Sequence, residues 1–298
     1  MWVLLSFLSA FLLGCYDICK KKSLDENAVI PVLFLNTLIS TLIFTPFIIL
    51  SYTTNLLDES LFYVPRVSPE THGLIALKSL IVLSSWITGY FSVKNLPLTI
   101  TGPIKATQPV ITLTGAMLIF GERLNLCQWT GVLLAVLSFY MLSASGKKEG
   151  IRFSHDKWIF YAVLSIIMGA VSGLYDKFLM KSFDVMTVQV WFNVYQFFIM
   201  IPVFLLLWYP GRKQTTPYHW KWSILLVSLF LAVADWVYFY ALGFPDAMIS
   251  VVSMIRRSSV LVTFVAGAVL FHEKNLKNKA IDLFLVLLGM IFLYLGTK

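Results

Sequence analysis

Apolar runs of about twenty residues recur along this chain with little between them, and one α-helix needs a run of about that length to cross a hydrocarbon core about 30 Å thick. Ten can be drawn: 2–20, 28–52, 73–94, 98–120, 126–144, 157–181, 184–208, 219–242, 246–270 and 276–296. Clusters of Lys, Asn, Pro or Gly separate them. The longest connectors, 53–72, 145–156 and 209–218, leave no room for a soluble domain. Inside lipid a spanning segment must satisfy its own backbone N–H and C=O groups, so the expected fold is an all-α polytopic membrane protein with ten transmembrane helices. Composition agrees. Of 298 residues, 58% are hydrophobic and only 13% charged, against about 25% charged in a soluble domain, which excludes an ordinary water-soluble fold. The net charge of +8 would suggest nucleic acid in a soluble protein. Here the basic residues lie mainly in short segments between apolar runs, so the expected partners are the bilayer and a small solute, with no nucleic acid.

The chain repeats itself. Residues 14–25, GCYDICKKKSLD, align with 173–184, GLYDKFLMKSFD, so that Gly, Tyr, Asp, Lys, Ser and a second Asp recur at an offset of 159. Residues 105–123, KATQPVITLTGAMLIFGER, align with 256–274, RRSSVLVTFVAGAVLFHEK, at an offset of 151. Two five-helix repeats follow, residues 1–146 and 157–298. Five is odd, so the second repeat enters the membrane upside down relative to the first, an inverted-topology repeat. The opening MWVLLSFLSAFLLG before Cys15 has the look of a secretory signal, but a removable signal would not be duplicated in mid-chain.

Orientation is read from Lys and Arg. The face reached after helices 1, 3, 5, 7 and 9 carries fourteen, namely Lys20, Lys21, Lys22, Lys94, Lys147, Lys148, Arg152, Lys157, Arg212, Lys213, Lys221, Lys274, Lys277 and Lys279. The other face carries Arg66, Arg123, Lys181 and Lys298. This bias puts the first face in the cytoplasm and both termini outside.

The two five-helix halves, the glutamate-plus-basic punctuation after the fourth helix of each (Gly121-Glu122-Arg123 and His272-Glu273-Lys274) and the paired Tyr16-Asp17 and Tyr175-Asp176 motifs resemble the EamA-type branch of the drug/metabolite transporter superfamily. The resemblance spans nearly the whole chain. It implies a ten-helix carrier with a central cavity lined largely by helices 3, 4, 8 and 9, working by alternating access, in a bacterial cytoplasmic membrane. Such carriers are usually drawn with both termini in the cytoplasm, opposite to the charge bias. Pro109 also departs from the repeat pattern, with Val260 as its mate.

Charges within the bilayer are costly and usually face a bundle interior or a cavity. Lys105 lies about 10 Å into helix 4 and Arg256 about 15 Å into helix 9, approaching the midplane from opposite faces. They are repeat mates, and inverted pseudo-symmetry would bring them together on one anion, with Arg257 adding a third positive charge. Guanidinium groups suit bidentate contact with carboxylate or phosphate. Organic-phosphate carriers of the same superfamily look similar here, which implies an anionic or zwitterionic substrate. Alternatively Asp235 in helix 8 neutralises the arginines as a structural ion pair. Asp17 and Asp176 would carry a coupling proton or sense a gate, or else pair with nearby Lys20, Lys21 or Lys177; Asp235, the deepest carboxylate, is the better candidate for proton coupling or charge balance. Glu122 and Glu273 are expected to cap or tie loops. Asn36, Gln108, Asn193 and Gln196 would line the cavity or bond neighbouring helices. Tyr16, Trp86, Tyr175 and Trp236 lie near the polar motifs, where stacking on substrate competes with plain packing.

No His lies at metal-ligand spacing from another His or Cys, and there is no P-loop, Rossmann glycine run or G-x-S-x-G elbow. The expectation is therefore a secondary carrier without cofactor or metal and without catalytic residues. The rival readings are an intramembrane enzyme acting on lipid and a non-transporting scaffold subunit.

Overall fold

The computed structural model describes residues 1–108, 110–112, 125–147, 155–242, 244, 252, 255–273 and 276–296. Among these the long elements are helices: α1 Trp2–Leu24, α2 Val29–Thr53, α3 Pro69–Asn95, α4 Leu98–Ala106, α5 Leu126–Lys147, α6 Lys157–Ser182, α7 Val185–Val203, α8 Ser223–Leu242, α9 Ser259–Val269 and α10 Leu276–Leu295. Six of them, α1, α2, α3, α6, α7 and α8, contain spans long and apolar enough to cross a membrane. Start signals are local. Ser68 accepts from Thr71 N at 3.3 Å with Pro69 behind it, so α3 begins four residues before its apolar run. Asp156 and Asp184 cap α6 and α7 through Trp158 N and Met186 N, each at 2.8 Å. Pro202 withholds one N–H from α7, and the helix continues as a π-helical turn over Phe204–Trp208.

Successive helices run antiparallel, as bonds at the two ends of the bundle show. At one end the α1–α2 connection meets the α7–α8 connection, where Asn27 Nδ2 donates to His219 O at 2.7 Å and His219 N returns a bond to Asn27 Oδ1 at 2.9 Å. At the other end Asn125 Nδ2, before α5, donates to Gly296 O, after α10, at 2.6 Å. The principal packing pairs cross between the halves of the chain: α1 with α8, α3 with α6, α2 with α7, and α5 with α10. α9 packs on both α1 and α4. Gly14 of α1 lies so close against Val262 of α9 that a β-carbon would not fit, the small-residue device by which membrane helices approach.

The radial pattern is that of a bundle in lipid. Leu4, Phe7, Phe11, Leu42, Leu80, Phe160, Leu206 and Phe284 are exposed on the outside. Ser9, Asp17, Lys20, Asn36, Lys78, Gln196, Lys279 and Asp282 are buried. Ser9 Oγ bonds Ala234 O at 2.7 Å and Ser138 Oγ bonds Asp282 O at 2.7 Å, so hydroxyls tie helices where water does not reach.

The runs expected at 98–120 and 246–270 are not simple rods. α4 ends at Ala106, Thr107 forms a turn and helical residues resume at Gln108. In the same way Ile255–Arg257 are helical, Ser258 is a turn and α9 starts at Ser259. Thr107 Oγ1 donates to Ile104 O at 2.7 Å, and Ser258 Oγ to Ile255 O at 2.6 Å. Thr107 N bonds Ile104 O at 3.1 Å and Ser258 N bonds Ile255 O at 2.9 Å, the tighter three-residue spacing. All four residues correspond at the 151 offset, so both interruptions fall just after the mated cations Lys105 and Arg256.

Candidate functional site

Five cations and three carboxylates gather inside the bundle. Asp17 of α1 is seven residues from the end of its helix and Asp176 of α6 is six from the end of its own, about 10 Å from opposite ends of the bundle. Asp17 Oδ1 accepts from Lys20 Nζ at 2.5 Å and from Lys105 Nζ at 2.7 Å, tying α1 to α4. Asp176 pairs with Lys78 of α3, and Asp235 of α8 pairs with Arg256. Arg256 also stacks over the ring of Tyr238, 4.1 Å from its centroid. Arg257 lies within electrostatic reach of Arg256, Tyr238 and Asp17 and makes no ion pair among the described residues.

Aromatic rings hold two of the buried ammonium groups. Lys20 Nζ is 4.2 Å from the Tyr16 centroid and 5.2 Å from that of Tyr90, whose hydroxyls are 3.4 Å apart. Lys78 Nζ is 4.8 Å from the Phe192 centroid and 5.4 Å from that of Phe239. Such faces attract a desolvated cation, the more so where water is excluded. Exposure separates these lysines from the third: the side chains of Lys20 and Lys78 are 5% and 2% exposed, that of Lys105 30%.

The sequence-derived candidates divide. Lys105, Arg256, Arg257, Asp17 and Asp235 form one connected charge cluster, and Asp176 joins it across Tyr238. Tyr16 is part of it through Lys20. Gln108 packs its amide against Gly169 of α6. Trp86 meets Phe192 edge-on at 6.1 Å, and the Tyr175 hydroxyl donates to Leu74 O at 3.2 Å, so both make packing contacts beside the cluster. Trp236 stacks on Tyr240 at 5.4 Å, also within the protein's own aromatics. Asn193 Nδ2 bonds Gln189 O at 2.7 Å. Asn36 accepts from Ser228 Oγ at 2.9 Å, while among the described residues its Nδ2 has no acceptor and neither amide atom of the buried Gln196 has a partner. Glu122, Arg123 and Pro109 lie outside the described residues.

The pairing of Lys20 with Asp17 is one of the alternatives the sequence offers, but the burial of Lys20 and the part played by Lys78 are not among the expectations. Lys20 counts there as a flank charge, yet α1 runs on to Leu24 and carries it inside. Lys78 is a lone cation in an apolar run, the same signal that marks Lys105. Other flank cations are half-buried and bond within the protein: Lys21 Nζ donates to Val93 O and Leu96 O at 2.8 and 2.7 Å, and Lys94 Nζ to Asn27 O at 2.8 Å. These bonds tie the connectors at this end of the bundle to one another.

Near the Asn27 end a second polar group links the halves. His272, at φ 49°, reverses the chain after α9 and brings Glu273 onto the start of α4. There the Glu273 carboxylate accepts from Leu98 N at 2.7 Å, from Thr99 N at 2.8 Å and from the Thr99 hydroxyl. The expected capping role is realised on a helix of the opposite half. Lys279 Nζ donates to Thr99 Oγ1 at 2.9 Å, and Gly267 leaves the space, since a β-carbon there would crowd Glu273 and Thr99 at 3.0 Å each. Among the described residues no three His, Cys, Asp or Glu side chains are grouped to hold a metal ion.

Comparison with known proteins places this arrangement. An uncharacterized transporter of Archaeoglobus fulgidus is 21% identical over 299 residues, covering 98% of each chain. A protein of known crystal structure superposes with a TM-score of 0.67 at 13% identity, covering 99% of this chain and 98% of its own, which shows a shared fold. The family model for EamA-like transporters matches residues 1–144 and again residues 156–295. Matched in both halves and built from apolar spanning helices, the chain is an integral multi-pass membrane protein that belongs to the EamA-like transporter family.

Proposed function

We propose that this protein is a secondary carrier moving a small organic anion or zwitterion across its membrane by alternating access. The observation that carries the reading is the cation cluster at the two helix interruptions. Among the described residues Arg257 has no carboxylate partner and the adjacent Arg256 keeps an unused Nε donor, and Lys105 is the most exposed of the three ion-paired lysines. Unused guanidinium donors inside a membrane bundle are costly unless a guest completes them. A carboxylate or phosphate would do so, and an ammonium on the same guest would find acceptors in Asp235 and Gln196 Oε1.

The packing supports an inverted repeat built from residues 1–146 and 157–298. Exchanging each helix with its counterpart five places along turns the α1–α8 contact into α6–α3, α3–α7 into α8–α2 and α1–α9 into α6–α4, and each of these pairs is in contact. The mated interruptions at Thr107 and Ser258 supply the discontinuous helices that line substrate sites in carriers of this design. Rocking of the two repeats about the cluster would expose it to either side. In this reading Lys105, Arg256, Arg257, Gln108, Tyr16, Tyr175, Trp86, Asn36 and Gln196 border the substrate path, and Asp235, Asp17 and Asp176 balance charge.

One observation favours a scaffold instead: Lys105 and Arg256 each already touch a carboxylate. Transport separates the readings. Purified protein in liposomes, offered labelled succinate, alanine and glycerol 3-phosphate in turn, is expected to take up at least one saturably. Lys105→Gln and Arg256→Gln are each expected to cut that uptake by about 30-fold or more while eluting as monodisperse protein, the scale of losing a desolvated charged contact. Normal uptake by both variants would remove the anion site.

A further inference from the structure

Asp17 is the one carboxylate of the described cluster that accepts from two ammonium groups. Its Oδ1 receives Lys20 at 2.5 Å and Lys105 at 2.7 Å, and Arg257 lies within electrostatic reach. Asp176 and Asp235 each serve a single cation. The two lysines on Asp17 are not equivalent. Lys20 follows Asp17 by three residues on α1, is 5% exposed and is held between Tyr16 and Tyr90. Lys105 comes from α4, beside the Thr107 interruption, and is 30% exposed. Lys20 alone would keep Asp17 paired. The contact with Lys105 is therefore expendable for Asp17, whereas for Lys105 it is the one carboxylate contact among the described residues.

We propose that Asp17 is a resident counter-anion, which holds Lys105 and screens Arg257 while the site is empty and gives up Lys105 to the carried anion when the site fills. The inference rests on the carrier reading above and says how its anion site is occupied at rest. The exchange conserves charge contacts: the guest's oxyanion takes the place of the Asp17 carboxylate on Lys105, and Lys20 remains on Asp17, so no buried carboxylate is left alone. It also breaks the tie between α1 and α4, which links binding to movement of the interrupted helix. Because the empty site carries its own anion, the unloaded carrier need not move two uncompensated cations through a low-dielectric passage, and net flux rather than strict exchange follows.

Inorganic phosphate tests this directly on the full chain in nanodiscs, with binding read from phosphate-dependent thermal stabilisation. Removing the competitor should expose the site, so Asp17→Asn is expected to bind phosphate at least about tenfold more tightly than the native chain, and Asp17→Glu to bind like the native chain. Equal or weaker binding by Asp17→Asn overturns the proposal, as does absence of phosphate binding in both. If Asp17→Asn does not fold, Arg257→Gln in the native background takes its place. Its phosphate affinity should fall at least about tenfold, and an unchanged affinity overturns the proposal. Uptake of the three labelled solutes by the native chain reads the carrier function separately. Tighter phosphate binding by Asp17→Asn with no saturable uptake keeps the counter-anion and removes the carrier, whereas uptake with unaltered phosphate affinity does the reverse.

Discussion

At the residue scale, Lys20, Lys78, Lys105 and Arg256 each meet a carboxylate inside the bundle, and Lys20, Lys78 and Arg256 also meet an aromatic face. Lys78 is the clearest case. It is 2% exposed, bonded to Asp176 and flanked by Phe192 and Phe239, and it joins α3 to α6 in the interior. Lys78→Met would leave the Asp176 carboxylate without its partner, a loss of about 3–5 kcal/mol for a buried pair. The expected result is a thermal unfolding midpoint lowered by several degrees in detergent, with much of the loss recovered when Asp176→Asn is added. A double variant no more stable than the single one would show that the pair does not hold the helices. Lys105, Arg256, Arg257 and Asp235 are legible in the sequence because a charge within an apolar run is rare and expensive. Lys78 carries the same signal. Lys20 does not, since three consecutive lysines near a helix end read as a solvated flank, and only the azimuth of a helix continued to Leu24 turns the first of them inward.

At the element scale, the ends of helices matter as much as their length. α4 starts against a carboxylate borrowed from beyond α9, with Glu273 accepting two backbone N–H groups that would otherwise lack partners. Glu273→Ala is expected to cost about 1–3 kcal/mol and to raise amide hydrogen exchange at Leu98 through Thr101 while leaving α2 unchanged. Exchange rates equal to the native ones would mean that the carboxylate does not secure α4. The sequence places Glu273 at a loop junction and suggests a cap, but the capped helix lies in the other half, which no spacing along the chain reveals. The interruptions share one local feature. Thr107 and Ser258 each offer a hydroxyl to a carbonyl three residues back, in competition with the regular ladder, and these two positions expected inside continuous spans are turns. Such a bond does not by itself break a helix, since Thr37 and Thr263 make it to Phe34 O and Val260 O within unbroken α2 and α9.

At the scale of the whole molecule, strict alternation puts the α2–α3 connection and the start of α5 at one end and the α7–α8 connection at the other. In a chain with Cys15, Cys19 and Cys127 replaced by Ser, Glu59→Cys and Leu126→Cys are expected to react with a membrane-impermeant thiol reagent from the same side of sealed vesicles, and Gln214→Cys from the opposite side. Labelling of Glu59→Cys and Gln214→Cys from one side would contradict the alternation. Helicity, repeated membrane crossing, duplicated motifs and charge at depth can be read from the residues in order, because these follow from run length, from internal likeness and from the cost of polar groups in lipid. Which carboxylate meets which cation, how deeply Lys20 is buried, the place of Lys78 in the cluster and the capping of α4 from the other half emerge from the folded bundle alone. Pairing across helices depends on how each helix is rotated about its axis and on which neighbour it meets, and in a bundle of nearly uniform apolar segments those choices are made by packing.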